Sequence, residues 1–137
     1  MAHPDLMIDT SVVIDHLRKR NKRKSALFRI VDDYQLHTST IVEFELFAGS
    51  TNAEKRRDIE QILRFCASVP LTSEIAQEAG QLYQLLKRKN QLLEIRDLLI
   101  ASSAVVHGLT LMTFNTRHFQ RVDGLNVLTP PSPDAHA

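Results

Sequence analysis

Asp5-Leu6-Met7-Ile8-Asp9-Thr10-Ser11-Val12-Val13-Ile14-Asp15 is a short apolar run that stops at a carboxylate, followed by two hydroxyl residues and a second apolar run. This is the pattern of a buried strand feeding directly into a helix. Asp9 stands at the junction. In open α/β sheets, ligands bind in the crevice beyond the carboxyl ends of the strands, so a carboxylate at that point is placed for chemistry. Its plainer role is helix capping, which Thr10 or Ser11 could also perform.

The same arrangement recurs along the chain. Residues 35–38 read as a strand, after which Ser39 or Thr40 caps a helix carrying Ile41, Val42, Phe44, Leu46 and Phe47 until Gly49, with Glu43 and Glu45 in its opening turns. Residues 66–71 form a third strand before a long helix capped by Thr72 or Ser73. From Leu98 onward the segment 92–106 is apolar or small on every side, as in a helix enclosed by protein, and Asp97 lies at its front edge. Residues 109–113 form a fourth strand that stops at Phe114-Asn115-Thr116-Arg117-His118-Phe119, and 125–128 a short last one. Helical spacing also marks 24–33, and 51–64 reads as a surface helix with Ile59, Ile62, Leu63 and Phe65 as a narrow stripe. Strands separated by helices imply βαβ units. The expected fold is an α/β/α sandwich around a mostly parallel sheet of about five strands.

With 137 residues the chain suits one domain, expected over 1–129, with a disordered tail at 130–137. A content of 43% hydrophobic and 24% charged residues indicates neither disorder nor a fibrous class. Cys66 is the only cysteine, which excludes an internal disulfide and a cysteine-rich zinc site; its apolar flanks suggest a buried thiol. No segment approaches the ~20 apolar residues of a membrane span, and residues 1–8 lack a signal core, so the expected location is the cytoplasm. The net charge of +1 says less than its distribution: Arg18, Lys19, Arg20, Lys22, Arg23 and Lys24 fall within seven positions. Such a cluster can collect phosphates, or form a solvated helix end favoured by the helix dipole.

Asp9, the Glu43 and Glu45 pair, Asp97 and Asn115 would all lie on one edge of a parallel sheet. A fold tolerates several carboxylates in one partly buried crevice most readily when a divalent cation fills the gap. Hard oxygen donors without His or Cys point to Mg²⁺ or Mn²⁺ and to metal-assisted hydrolysis of a phosphodiester. Asp97 could instead serve only the helix dipole. Glu43 and Glu45, roughly 200° apart around a helix, cannot both face the crevice, and spacing alone does not choose between them.

Met7-Ile8-Asp9-Thr10-Ser11-Val12-Val13-Ile14, Thr38-Ser39-Thr40-Ile41-Val42-Glu43-Phe44-Glu45-Leu46-Phe47-Ala48-Gly49, Ile95-Arg96-Asp97-Leu98-Leu99-Ile100-Ala101 and Thr113-Phe114-Asn115-Thr116-Arg117-His118-Phe119 closely resemble the motifs of PIN-domain ribonucleases, most of all the VapC toxins, over residues 5–128. The resemblance implies a PIN-like fold and a Mg²⁺- or Mn²⁺-dependent endoribonuclease acting on tRNA or rRNA. It also implies inhibition by a VapB antitoxin, and a homodimer or a higher toxin–antitoxin assembly. Carried over by position, the metal-binding acids fall on Asp9 and Asp97, and the Glu-Leu-x-x-Gly pattern places the remaining one at Glu45, leaving Glu43 as a flanking charge. Asn115 stands where the family commonly has an aspartate, which removes one negative charge from the set. Ser11 and Thr113 are candidates for orienting the ion's hydration shell. Arg96 and Arg117 are candidates for meeting charge on the phosphorane, and residues 18–24 for gripping RNA. The apolar stripe of Ile59, Ile62, Leu63 and Phe65, with Leu82, Tyr83 and Leu86, is the expected surface for self-association and for the antitoxin. One alternative is a catalytically weak PIN-like protein that binds RNA or a partner, suggested by Asn115. Another, a phosphoacceptor domain, lacks the acidic pair and the late lysine it would need.

Overall fold

The computed structural model describes residues 3–131. Five strands, β1 (Asp5–Ile8), β2 (Gln35–Ser39), β3 (Cys66–Val69), β4 (Thr110–Met112) and β5 (Val127–Leu128), stand in the order β3-β2-β1-β4-β5, and every pairing is parallel. The helices are α1 (Thr10–Arg18), α2 (Ala26–Ile30), α3 (Thr40–Ala48), α4 (Ala53–Leu63), α5 (Ser73–Arg88), α6 (Ile95–Val106) and α7 (Thr116–Phe119), with a 3-10 turn at Lys22–Lys24. The expected sandwich is present. Its central strand explains the opening stretch: Leu6, Met7 and Ile8 are fully buried, and a strand covered on both faces is apolar throughout rather than alternating.

Capping fixes where most helices begin. Ser25, Ser39, Asn52 and Thr72 accept hydrogen bonds from the backbone N–H groups of Phe28, Val42, Lys55 and Ile75, and so open α2, α3, α4 and α5. Ser39 rather than Thr40 is thus the cap of α3, and the Thr40 hydroxyl instead accepts from the N–H of Leu71. α2 is shorter than the expected 24–33 because Ser25 starts it afresh after the basic turn. α6 is followed by Gly108 at φ +64°, a left-handed conformation that suits glycine.

The expected interaction stripe is largely interior. Ile59, Ile62, Leu82 and Leu86 are buried and belong to the main core cluster, while Phe65 and Tyr83 are exposed. Helical periodicity identified an apolar face correctly but not what covers it. The pKa of the partly buried Cys66 thiol is pushed up to about 12, mainly by burial and further by Glu43, which disfavours the thiolate. Of the expected tail, residues 132–137 lie outside the described residues, and Pro130 is buried.

Candidate functional site

Strand register creates the site. Ile8 pairs with Met112, so the chains leaving β1 and β4 run side by side, and the Asp9 N–H donates to the Met112 carbonyl at 3.0 Å. The Thr113 hydroxyl donates to Asp9 Oδ2 at 2.7 Å and the Ser11 hydroxyl to the same oxygen at 3.0 Å. Backbone groups lock both hydroxyls in turn: the Phe114 N–H donates to Ser11 Oγ at 3.1 Å and the Asn115 N–H to Thr113 Oγ1 at 2.9 Å. Asp9 occupies the N-cap position of α1 but makes no side-chain cap hydrogen bond. Its carboxylate, only 4% exposed, is thus withheld from capping and held by charge-assisted bonds.

Asp9, Glu45, Asp97 and Asn115 line one cleft of about 380 Å³, together with Thr10, Ser11, Glu94, Arg96, His118 and Arg121. Glu45 comes from α3, Asp97 from the first turn of α6, and Asn115 from the N-cap of α7. The Thr10 hydroxyl donates to Glu45 Oε1 at 2.9 Å, and Arg96 Nη1 donates to Glu45 Oε2 at 3.1 Å. Arg96 Nε also reaches Glu94 Oε2 at 3.0 Å. Glu43 is outside the cleft lining and accepts from the Ser68 hydroxyl of β3 at 2.6 Å. The half-buried Asp97 carboxyl is pushed up from its ordinary value by burial and then by the charge of Asp9, with Glu94 and Glu45 adding to the effect and Arg96 opposing it.

Several residues singled out by sequence lie elsewhere. Arg117 is exposed and does not line the cleft. Arg18, Lys19, Arg20, Lys22, Arg23 and Lys24 lie at or beyond the far end of α1, which at 1.5 Å per residue is about 13 Å from Asp9. Two of them have structural partners: Lys22 Nζ donates to the carbonyls of His16 and Leu17 at 2.8 and 2.7 Å, and Lys19 pairs with Asp15 at 3.3 Å. Sequence reasoning missed Arg121, which lines the cleft and donates to the Leu92 carbonyl at 3.0 Å. It lies beyond the matched motif, and no spacing marks it.

The donor types fit a hard divalent cation: four carboxylates, those of Asp9, Glu45, Glu94 and Asp97, and the amide carbonyl of Asn115, with excess negative charge felt at Asp97. Their present positions do not close around a point. Among the described residues, no group of three or more His, Cys, Asp or Glu side chains is arranged to hold an ion. Both Glu45 oxygens accept hydrogen bonds, from Thr10 and Arg96.

The PIN-domain family model matches residues 6–125. The chain belongs to the PIN-domain family. Among relatives of this PIN domain, ribonuclease VapC10 of Mycobacterium tuberculosis is 32% identical over 120 residues, covering 88% of this chain and 90% of the relative. Ribonuclease VapC1 of Rickettsia felis is 31% identical, covering 94% and 98%. Among solved structures, VapBC-1 from nontypeable Haemophilus influenzae superposes with a TM-score of 0.78 at 26% identity, covering 90% of this PIN domain and 96% of that chain. VapBC2 from Rickettsia felis, bound to a DNA fragment from its promoter, superposes with a TM-score of 0.80 at 23% identity, covering 92% and 98%, and shows the shared fold.

Proposed function

We propose that this PIN domain is an endoribonuclease toxin of the VapC kind that requires Mg²⁺ or Mn²⁺, with Asp9, Glu45 and Asp97 as ion ligands and Asn115 completing the catalytic set. The observation that carries the reading is that three separate elements deliver three acids to one cleft, while Asp9 is kept from capping its own helix. The VapC ribonucleases among its relatives support the activity, and the VapBC structures support restraint by an antitoxin. The substrate class is RNA, with tRNA or rRNA as the targets to test first, and the cytoplasm is the proposed location. Among the described residues, no helix is long and apolar enough to cross a membrane.

Asp9, Glu45 and Asp97 would hold the Mg²⁺ or Mn²⁺, which would supply Lewis-acid charge to activate a water and to stabilise a leaving oxygen. The chain's own residues do the placing. Ser11 and Thr113 fix the orientation of Asp9, and the Asn115 side-chain carbonyl can accept from a water at the cleft. Arg96 and Arg121, on the cleft lining, are the cations closest to an incoming phosphate; Arg117 and residues 18–24 would act further along the RNA.

For the antitoxin, an apolar groove of about 610 Å³ offers a seat. Leu17, Leu27, Phe28, Ile62 and Phe65 line it where α1, α2 and α4 meet. Phe44 and Ile95, 69% and 71% exposed, are apolar surface left for a second copy of the chain, in place of the buried stripe.

The decisive test uses purified, folded Asp9→Asn and Asp97→Asn proteins with total RNA and Mn²⁺. Both are expected to lose cleavage, and EDTA should abolish it in the parent; unchanged cleavage by either variant would sink the assignment. RNA retained without cleavage by the parent itself would favour the binding-only alternative suggested by Asn115.

A further inference from the structure

The cleft already contains a cation. Arg96 belongs to the first turn of α6, directly before Asp97, and its guanidinium spans two acids, with Nη1 on Glu45 Oε2 at 3.1 Å and Nε on Glu94 Oε2 at 3.0 Å. Glu45 Oε1 is taken by Thr10. Each Glu45 oxygen therefore already accepts a hydrogen bond from its own chain, and among the described residues no three acids are arranged to hold an ion. A guanidinium and a divalent ion both seek carboxylate oxygens, and two cations cannot share Glu45 Oε2 without repulsion.

Exposure decides which of them holds the position. The Arg96 side chain is 57% exposed, whereas that of Glu45 is 17% exposed. A pair this open to solvent is worth at most about a fivefold factor in a binding constant, so the arginine is readily displaced. It can also leave without unfolding anything, because its α-helical backbone does not depend on the side chain, and Glu94 offers a second anchor at the lip.

We propose that Arg96 is a resident counter-cation of the cleft, which competes with the divalent ion for Glu45 and raises the ion concentration needed to load the site. This rests on the metal-dependent reading above. Arg96 would thus be a positioning residue that acts through Glu45, holding and neutralising that carboxylate until an ion replaces it.

The test is Mn²⁺ binding to the full chain in the absence of RNA, by isothermal titration, for the parent, Arg96→Gln, Arg96→Lys and Asp97→Asn. Arg96→Gln should bind Mn²⁺ about two- to fivefold more tightly than the parent, with Arg96→Lys in between. In the parent, the Arg96 Nη1–H resonances, which report the bond to Glu45, should lose their hydrogen-bonded shift and exchange faster with water as Mg²⁺ is added. Equal or weaker Mn²⁺ binding by Arg96→Gln, or an Arg96 resonance indifferent to Mg²⁺, overturns the competition. Asp97→Asn separates the two levels: if it binds Mn²⁺ as the parent does, the metal-site reading itself fails, whereas a loss of binding there with no gain in Arg96→Gln overturns only the role of Arg96.

Discussion

At the scale of single residues, the site depends on hydroxyls as much as on acids. Thr113 is fully buried, and its hydroxyl makes the shorter of the two bonds to Asp9 Oδ2. Thr113→Val keeps the shape but removes that donor and the acceptor used by the Asn115 N–H. Groups that orient metal ligands typically contribute about 10- to 100-fold to affinity or activity. RNA cleavage by Thr113→Val should fall within that range with the fold retained by circular dichroism, and Thr113→Ser should recover most of it. Full activity in the valine variant would show that Ser11 alone positions Asp9. Legibility at this scale was uneven. Asp9 could be read because an apolar run stops on it, but Glu43 and Glu45 are equivalent by spacing; the Glu-Leu-x-x-Gly resemblance chose Glu45, and tertiary placement puts Glu45 in the cleft and Glu43 on Ser68. Arg121 carried no local signal, because its position in the cleft comes from the path of the chain between α7 and β5.

At the scale of elements, the basic run after α1 divides into two kinds of cation. Lys22 folds back on the last carbonyls of α1, satisfying groups that every helix end leaves open. His16 and Asp15 tie the same helix to the start of α2, through Ser25 Oγ at 2.6 Å and the Ala26 N–H at 3.1 Å. Arg18, Arg20 and Arg23 are exposed and make no ion pair among the described residues. Lys22→Ala should therefore cost about 1 kcal/mol of unfolding free energy in urea. Replacing Arg18, Arg20 and Arg23 together by alanine should leave stability within about 0.5 kcal/mol. It should also weaken RNA binding and flatten its salt dependence, by roughly 0.7 in the log–log slope for each lost contact to single-stranded RNA. An unchanged slope would make the run a solvated helix end. Composition alone could not separate these roles, since both need lysine or arginine at the same place.

At the scale of the whole molecule, an all-parallel sheet places the ends of β1, β2 and β4 on one edge, so the acids meet because of topology rather than mutual attraction. The fold bears the electrostatic cost. Asp97 is half-buried beside Asp9, Glu94 and Glu45, with Arg96 as the opposing charge, and its carboxyl is shifted upward accordingly, so its ionised form is disfavoured in the folded state. Neutralising it should relieve that cost. In buffer freed of divalent ions near neutral pH, Asp97→Asn should unfold at a higher temperature than the parent, although it is expected to lose its activity. Saturating Mg²⁺ should reverse the order: at one hundred times the dissociation constant an ion adds about 2.7 kcal/mol to the parent, or roughly 8 °C at about 3 °C per kcal/mol, and little to the variant. Scanning calorimetry of both proteins with and without Mg²⁺ measures all four values. A metal-free Asp97→Asn that melts below the parent would mean that the Asp97 carboxylate holds the fold together, and that the charge crowded at this edge is already balanced within the chain.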